Sequence, residues 1–305
     1  DKRLDLLDLV LLYDCNLKCS YCTLTDEMRA RSGLRSSDIA GHIEDASRKG
    51  CKTLSITGGE PTLRPDLLPI IRHASKHRFT DIKIQTNGLL FAHKSNLDKA
   101  IEAGLTRVGV SVHAYSPGNS AAYEDCTKAA PGTEQLMLQS LQNLVESSVS
   151  LTVDLIMMKT TQDSVYDALT SLHKKGVTAF NLWLVSLTDN NADNVESLPK
   201  ITDLVPTAAA CMDYGRKHGI SVESLHVPRC LLPGYESHIN HPGVGKNVKV
   251  VTPDAVFELS DSVLSGGVKA DCCAQCSFNT QCPGLRADYV QRFGDKELNA
   301  ISDGS

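Results

Sequence analysis

From residue 6 to about residue 220 the chain repeats one pattern: a short apolar run, a turn, then a stretch with apolar residues three and four positions apart. Strands alternating with amphipathic helices pair in parallel, because a helical crossover returns the chain to the same end of the sheet. Right-handed crossovers then leave two architectures, a doubly wound sheet or a partial barrel. The apolar runs are Leu6 to Tyr13, Thr53 to Thr57, Asp81 to Gln85, Thr106 to Val112, Leu151 to Met158 and Val177 to Val185. Between them the spacing predicts helices. One starts at Ser36-Ser37, turns Ile39, Ile43 and Ala46 to one face and ends at Gly50. Another opens at Pro65-Asp66 and carries Leu67, Leu68, Ile70 and Ile71. Further helices are expected from about Ser95 to Gly104, Thr133 to about Glu146, Asp163 to Gly176 and Thr207 to His218, the last with Pro206 near its first turn. His113 to Pro131, rich in Ser, Pro, Gly and Asn, reads as a long loop without structure.

The first apolar run ends in Cys15-Asn-Leu-Lys-Cys19-Ser-Tyr-Cys22, three thiols spaced C-x3-C-x2-C on a loop past a strand end. In α/β sheets that is where ligand sites are built. Three thiolates can hold three irons of a cubane cluster and leave the fourth iron open, whereas an electron-transfer cluster takes four. A zinc loop or scattered core cysteines are the plain alternatives. The second run leads straight into Gly58-Gly59-Glu60-Pro61.

Near residue 220 the rhythm breaks. Ile220 to Val227 reads as a strand, then Pro228, Pro233, Gly234, Pro242, Gly243 and Gly245 mark irregular chain. Asn247 to Val251 and Ala255 to Leu259 read as a hairpin across Thr252-Pro253-Asp254. Four cysteines follow in Cys272-Cys273-Ala-Gln-Cys276-Ser-Phe-Asn-Thr-Gln-Cys282, and a terminal helix is expected from about Leu285. The organisation expected is a domain over residues 1–225 and a cysteine-rich segment over 226–305.

The Cys loop with aromatic Tyr21 between its last two thiols, followed after the next strand by Gly-Gly-Glu-Pro, resembles the radical S-adenosylmethionine (radical SAM) enzyme superfamily. Cys273-x2-Cys276-x5-Cys282-Pro-Gly, with Tyr289 downstream, resembles the twitch or SPASM-like auxiliary-cluster segments of that superfamily. The resemblance spans nearly the whole chain. It implies an α/β fold, a partial (β/α)6 barrel with a small C-terminal iron–sulfur extension. The missing Rossmann glycine fingerprint also favours the barrel. It implies a catalytic 4Fe–4S cluster on Cys15, Cys19 and Cys22, whose open iron chelates S-adenosylmethionine. Reductive cleavage then gives a 5′-deoxyadenosyl radical that abstracts hydrogen from a substrate carbon. A second, auxiliary 4Fe–4S cluster is expected on Cys273, Cys276 and Cys282, with Cys230 as fourth ligand and Cys272 as its competitor. A zinc ribbon could use the same thiols.

The resemblance extends to the cofactor pocket. Gly58 and Gly59 are expected to admit the methionine amino group to the backbone, with Glu60 a hydrogen-bonding residue of that turn. Asn87, after the third strand, and Ser111, on the fourth, are candidate cofactor contacts, as is Tyr21. His113, Tyr115 and Cys126 are candidate catalytic residues at or over the barrel mouth, and Tyr123 lies on the same stretch. Trp183, Met157 and Met158 are expected in the core, with Cys51 and Cys211 as small buried hydrophobes.

Bulk properties narrow the function classes. The net charge of −5 over 305 residues argues against a nucleic-acid surface, and no apolar run is long enough to span a membrane. Asp1-Lys2-Arg3-Leu4-Asp5 leads into a strand and does not read as a signal peptide, so eleven cysteines point to metal or reduced thiols in the cytoplasm. The expected substrate is a peptide or a small natural-product precursor. The alternative is a small sugar or amino acid. A flavodoxin or ferredoxin would supply the electron. A non-catalytic iron–sulfur carrier is the reading from another class, and it would need neither the open three-thiol site nor the glycine turn.

Overall fold

The computed structural model describes residues 3–241, 243–261 and 267–302; Asp1 and Lys2 of the N-terminal stretch, and Pro242 of the irregular chain, lie outside them. The strands and helices alternate as β1 (Leu6–Val10), α1 (Asp26–Arg29), α2 (Ser36–Arg48), β2 (Thr53–Thr57), α3 (Leu67–Lys76), β3 (Asp81–Thr86), α4 (Lys94–Ala103) and β4 (Arg107–Val112). There follow α5 (Ser120–Thr127), α6 (Thr133–Val145), β5 (Ser150–Met157), α7 (Val165–Lys174), β6 (Ala179–Leu184), α8 (Ile201–His218) and β7 (Ser221–Leu225). Short strands close the chain: β8 (Ile239–Asn240), β9 (Val248–Val251), β10 (Val256–Glu258), β11 (Gly267–Val268) and β12 (Leu285–Arg286), then α9 (Ala287–Phe293).

Among the described residues, ten strands form one sheet in the order β10-β9-β1-β2-β3-β4-β5-β6-β7-β8, parallel except for β10. Its two ends do not pair among the described residues, so the sheet is an α/β partial barrel, as expected. The hairpin read at residues 247–259 is present, and it extends this sheet beside β1. Successive strand residues point to opposite faces. Leu7, Leu9, Leu54, Ile56, Ile82, Ile84, Val108, Val110, Val153, Leu155, Phe180 and Leu182 are buried beneath the helices. The residues between them, including Asp8, Ser55, Lys83, Gln85, Ser111, Asp154 and Asn181, share the other face. The apolar core therefore lies between sheet and helices, and the concave face is polar.

Two expectations fail. The stretch from His113 to Pro131 is not a structureless loop: α5 occupies its centre, with Tyr123, Cys126 and Thr127 buried. Ser116, Pro117, Gly118 and Asn119 lead into that helix, and Lys128 leaves it in the left-handed region at φ 55°. These breakers mark the ends of the helix and hide its middle. Helix α8 begins at Ile201, and Pro206 lies inside it. A proline there removes one backbone donor, but contacts from the far end of the chain anchor the first turn. Ile201 N–H donates to Tyr289 Oη at 2.9 Å, and Thr202 N–H donates to Glu297 Oε1 at 3.3 Å.

Candidate active site

The Cys loop leaves β1 and is held from two sides. On one side the glycine turn after β2 donates into it: Gly59 N–H to the Leu12 carbonyl and Glu60 N–H to the Asp14 carbonyl, both at 2.8 Å. The fit leaves no room for a side chain. A Cβ on Gly59 would stand 2.2 Å from the Asp14 carbonyl oxygen and 2.3 Å from that of Tyr13. On the other side Lys18 N–H donates to the Thr127 carbonyl at 3.0 Å, and Ser20 N–H to the Cys126 carbonyl at 2.8 Å. The C-terminal end of α5 is thus a buttress for the thiol loop.

Cys15, Cys19 and Cys22 converge on one cavity of about 430 Å³ at the C-terminal ends of the strands. Leu17 N–H donates to Cys15 Sγ and Leu24 N–H to Cys22 Sγ, each at 3.4 Å. Arg29, just inside α1, donates from Nη2 to Cys22 Sγ at 3.2 Å and from Nη1 to the Leu17 carbonyl at 3.0 Å. Burial pushes the Cys15 and Cys19 thiols up, and the neighbouring thiols add to it at Cys19. Bound metal cations reverse that balance. Three soft donors facing one space, with backbone N–H groups aimed at two of the sulfurs, fit a cubane cluster with an open corner. No fourth cysteine lines the cavity among the described residues.

Glu60 is fully buried, and burial pushes its carboxyl up despite its hydrogen bonds. The carboxylate accepts from Asn87 N–H at 2.8 Å, Thr86 Oγ1 at 2.7 Å and Thr62 N–H at 3.0 Å. It ties the glycine turn to the end of β3 and does not reach the cavity. Asn87 does line it, and its side-chain amide donates to Asn16 Oδ1 of the Cys loop at 2.8 Å. Gly58, Gly59 and Ser111 line the same space. Tyr21 and His113 meet there, the tyrosine hydroxyl on His113 Nδ1. Burial pushes His113 down to about 4, so the imidazole is neutral at pH 7.

The other two catalytic candidates are placed elsewhere. Tyr115 is buried with its hydroxyl 3.1 Å from Ser171 on α7, facing the helix layer. Cys126 sits behind the Cys loop, its Sγ 3.7 Å from Ser20 Oγ. Tyr123 is fully buried, packed near the His113 ring at a centroid distance of 6.3 Å. Neither Tyr115 nor Cys126 lines the cavity. Met157, Met158, Cys51 and Cys211 are in the core, as expected. Trp183 is not. It lines the cavity, and its ring meets His226 edge-on at 5.1 Å.

Gln85, Asp154 and Arg29 are polar cavity residues that no sequence motif singles out. Asp154 accepts from Gln85 Nε2 at 2.9 Å and from Asn181 Nδ2 at 2.8 Å, and Gln85 also donates to Ser111 Oγ at 3.0 Å. Burial pushes the Asp154 carboxyl up, opposed by Lys83 and by those amides. A carboxylate in the middle of the apolar run Leu151 to Met158 was the available signal. Nothing in the spacing marks Arg29.

The second cysteine group also assembles. Cys230, Cys273, Cys276 and Cys282 line one small pocket of about 20 Å³ with Phe278, Leu298 and Ile301. Cys230 reaches it from the turn after β7, and its thiol is pushed up by burial and by the other three. Cys272 does not line it, and its Sγ is 3.5 Å from the Leu298 carbonyl. The donor set fits a cluster ligated by four thiolates. The segment is anchored to the barrel by Arg286, which donates to the carbonyls of Leu184 and Val185 at the end of β6 and pairs with Asp288. No helix among the described residues is long and apolar enough to cross a membrane.

A family model described as the Radical SAM superfamily matches residues 9–172. Among curated proteins, the probable GTP 3′,8-cyclase of Saccharolobus solfataricus is 36% identical over 118 residues, 38% of this chain and 37% of that protein. The one of Methanococcus vannielii is 33% identical over 149 residues, 47% of this chain and 48% of that protein. The chain thus spans less than half the length of these curated relatives. Among solved structures, anSMEcpe with bound AdoMet superposes with a TM-score of 0.70 at 18% identity, over 96% of this chain and 91% of that one. Streptococcus suis SuiB bound to the precursor peptide SuiA gives 0.66 at 14% identity, over 98% of this chain and 76% of that one. At such identities these likenesses speak for the fold.

Proposed function

The chain belongs to the radical SAM superfamily, and on that premise we propose that it cleaves S-adenosylmethionine reductively and removes a hydrogen atom from a carbon of its substrate. The observation that carries the reading is the convergence of Cys15, Cys19 and Cys22 on one cavity with no fourth thiol. A 4Fe–4S cluster on these thiolates supplies the electron and an open iron for the cofactor's amino and carboxylate groups. The chain's own residues position and shield. Gly58, Gly59 and Asn87 would hold the methionine end. Ser111, Gln85 and Asp154 present hydroxyl, amide and carboxylate groups from the strand ends into the same cavity, where they would meet the nucleoside end. His113 and Tyr21, neutral and mutually hydrogen-bonded, form a wall that adds no charge.

The substrate we propose is a peptide side chain or an uncharged small molecule, and not a nucleoside triphosphate. The curated relatives named as GTP 3′,8-cyclases make the triphosphate the specific competitor. A triphosphate needs several cationic donors. Arg29 is the single Lys or Arg lining the cavity among the described residues, and its guanidinium already serves Cys22 and Leu17. Trp183, Ile156 and Val185 give the remaining wall an apolar character suited to a side chain. We further propose an auxiliary 4Fe–4S cluster on Cys230, Cys273, Cys276 and Cys282. Fully ligated by protein, it would take an electron from the substrate rather than bind it. A small reduced flavodoxin or ferredoxin would feed the first cluster.

The test is anaerobic turnover of reconstituted, dithionite-reduced protein, read as 5′-deoxyadenosine. The wild type should form it, and the triple variant Cys15→Ala, Cys19→Ala, Cys22→Ala should not. Product from the triple variant overturns the assignment of the site. Consumption of GTP with accumulation of a cyclised nucleotide overturns the substrate class alone.

A further inference from the structure

Outside the barrel mouth, α2 and α3 bring together three metal-ligating side chains that the proposed chemistry does not use. His73 lies in the last turn of α3 and His77 one turn later, so both imidazoles stand on one face. Glu44 faces them from α2. One ligand atom from each lies within 4.8 Å of the other two, and all three residues are half-buried. Ser47 Oγ of α2 donates to the His77 carbonyl at 2.7 Å, which fixes the histidine turn against α2.

Three details favour a cation over an ordinary ion pair. First, His73 Nε2 is 3.4 Å from Glu44 Oε1, yet Nε2 is buried without a hydrogen-bond partner among the described residues. Two ligands bound at about 2.0–2.1 Å to a tetrahedral ion stand about 3.4 Å apart, so this separation suits a shared ion. Second, His77 Nδ1 is 2.9 Å from the His73 carbonyl. Nδ1 therefore carries the proton and donates, which leaves the Nε2 lone pair free. Metal-bound histidines are held in this way. Third, the two rings lie 4.2 Å apart at 45°, close enough for one ion to be held by both. The parallel helices α2 and α3 also end nearby, and helix C-termini favour positive charge.

We propose that Glu44, His73 and His77 form a binding site for a divalent transition cation of the zinc class, with water in the fourth position. Two imidazoles and one carboxylate match that class and not calcium or magnesium, which take oxygen ligands. The ion would act as a staple. At the other ends of the same helices, Ser36 Oγ already donates to Asp66 Oδ2 at 2.6 Å, and Arg64 joins Asp66 to the Leu34 carbonyl. A bound ion would close the pair at its C-terminal end and make rigid the two elements that follow the Cys loop and the glycine turn.

The test titrates zinc into protein whose iron–sulfur clusters are reconstituted. The readouts are calorimetry, thermal melting and zinc X-ray absorption. Wild type should bind zinc with a first shell of nitrogen and oxygen at about 2.0 Å, and its melting temperature should rise. His73→Ala and His77→Ala should each weaken binding by about tenfold or more and remove most of that rise. His42→Ala, on α2 but outside the triad, should change neither. Equal affinity in the wild type and the His73/His77 double variant overturns the site, as does a sulfur first shell near 2.3 Å.

Discussion

Arg29 donates a hydrogen bond to the sulfur of Cys22, with Nη2 3.2 Å from Sγ. The same guanidinium holds the Leu17 carbonyl between Cys15 and Cys19, so one cation both braces the thiol loop and faces its sulfur. Hydrogen bonds to cluster sulfurs raise a cluster's potential, and one to a charged partner is worth about 1.5–3 kcal/mol. Arg29→Ala is therefore expected to lower the potential of the N-terminal cluster by the equivalent of about 1 kcal/mol or more, with Arg29→Lys in between. An anaerobic redox titration followed by electron paramagnetic resonance measures it. An unchanged potential in Arg29→Ala counts against this role.

Gly59 is predicted to be intolerant of even one methyl group. The Asp14 and Tyr13 carbonyls occupy the space its Cβ would need, and overpacking of this kind costs about 1–3 kcal/mol. The strain falls on the backbone that leads into Cys15. Gly59→Ala should lower both melting temperature and iron content, whereas Gly41→Ala, with open space around it, should leave iron unchanged. Equal iron and equal melting in wild type and Gly59→Ala would show that the loop relaxes freely.

The two competing ligands of the auxiliary site separate by substitution. Cys230 shares a pocket with Cys273, Cys276 and Cys282, while Cys272 contacts the Leu298 carbonyl. In a background lacking Cys15, Cys19 and Cys22, the protein should retain about four irons. Cys230→Ser should lose most of them, and Cys272→Ser should keep them. The reverse pattern makes Cys272 the ligand. Tightly bound zinc with no iron–sulfur absorbance would instead favour a zinc ribbon.

Acid should destabilise the fold through its buried histidines. Burial pushes His226 and His241 down to about 4, and His241 Nε2 has no hydrogen-bond partner among the described residues. An unfolded histidine takes its proton near pH 6.5 while these resist it, so the unfolded state binds more protons between pH 6.5 and about 4. Stability is full above pH 6.5 and falls across that window. His241→Gln removes one such group, and its melting temperature should drop less than that of wild type between pH 7.5 and pH 5.5. Identical drops would show that His241 titrates freely in the fold. The buried carboxyls of Asp8, Glu60 and Asp154 are pushed up and oppose the trend in both proteins alike, so the comparison isolates the histidine.

The alternation of strand and helix was legible because each element carries its own period. Leu7, Leu9, Leu54 and Ile56 repeat at every second residue, and Ile39, Ile43 and Ala46 repeat at a helical turn. Helix α5 was not legible. Its eight residues lie between Asn119 and Lys128 behind a run of turn formers, and its burial depends on a core built by distant elements. The same stretch shows why Tyr115 and Cys126 were poor candidates. A position near a strand end does not say whether a side chain turns toward the barrel or toward the helices. Trp183 is the converse, an apolar residue on a strand whose parity puts it on the polar concave face with Ile156.

By itself the sequence determined what is local: the C-x3-C-x2-C spacing of Cys15, Cys19 and Cys22, the glycine turn at the end of β2, and the β/α rhythm that places both at one end of a parallel sheet. The tertiary structure decided the partnerships. Glu60 with Asn87, Arg29 with Cys22, the α5 carbonyls with the thiol loop, and Cys230 rather than Cys272 with Cys273 are such choices. So is the capping of Ile201 by Tyr289. Periodicity is set by the geometry of a few bonds and is written within each segment. A hydrogen bond or shared pocket between segments tens of residues apart depends on how buried faces pack, and no local pattern specifies that.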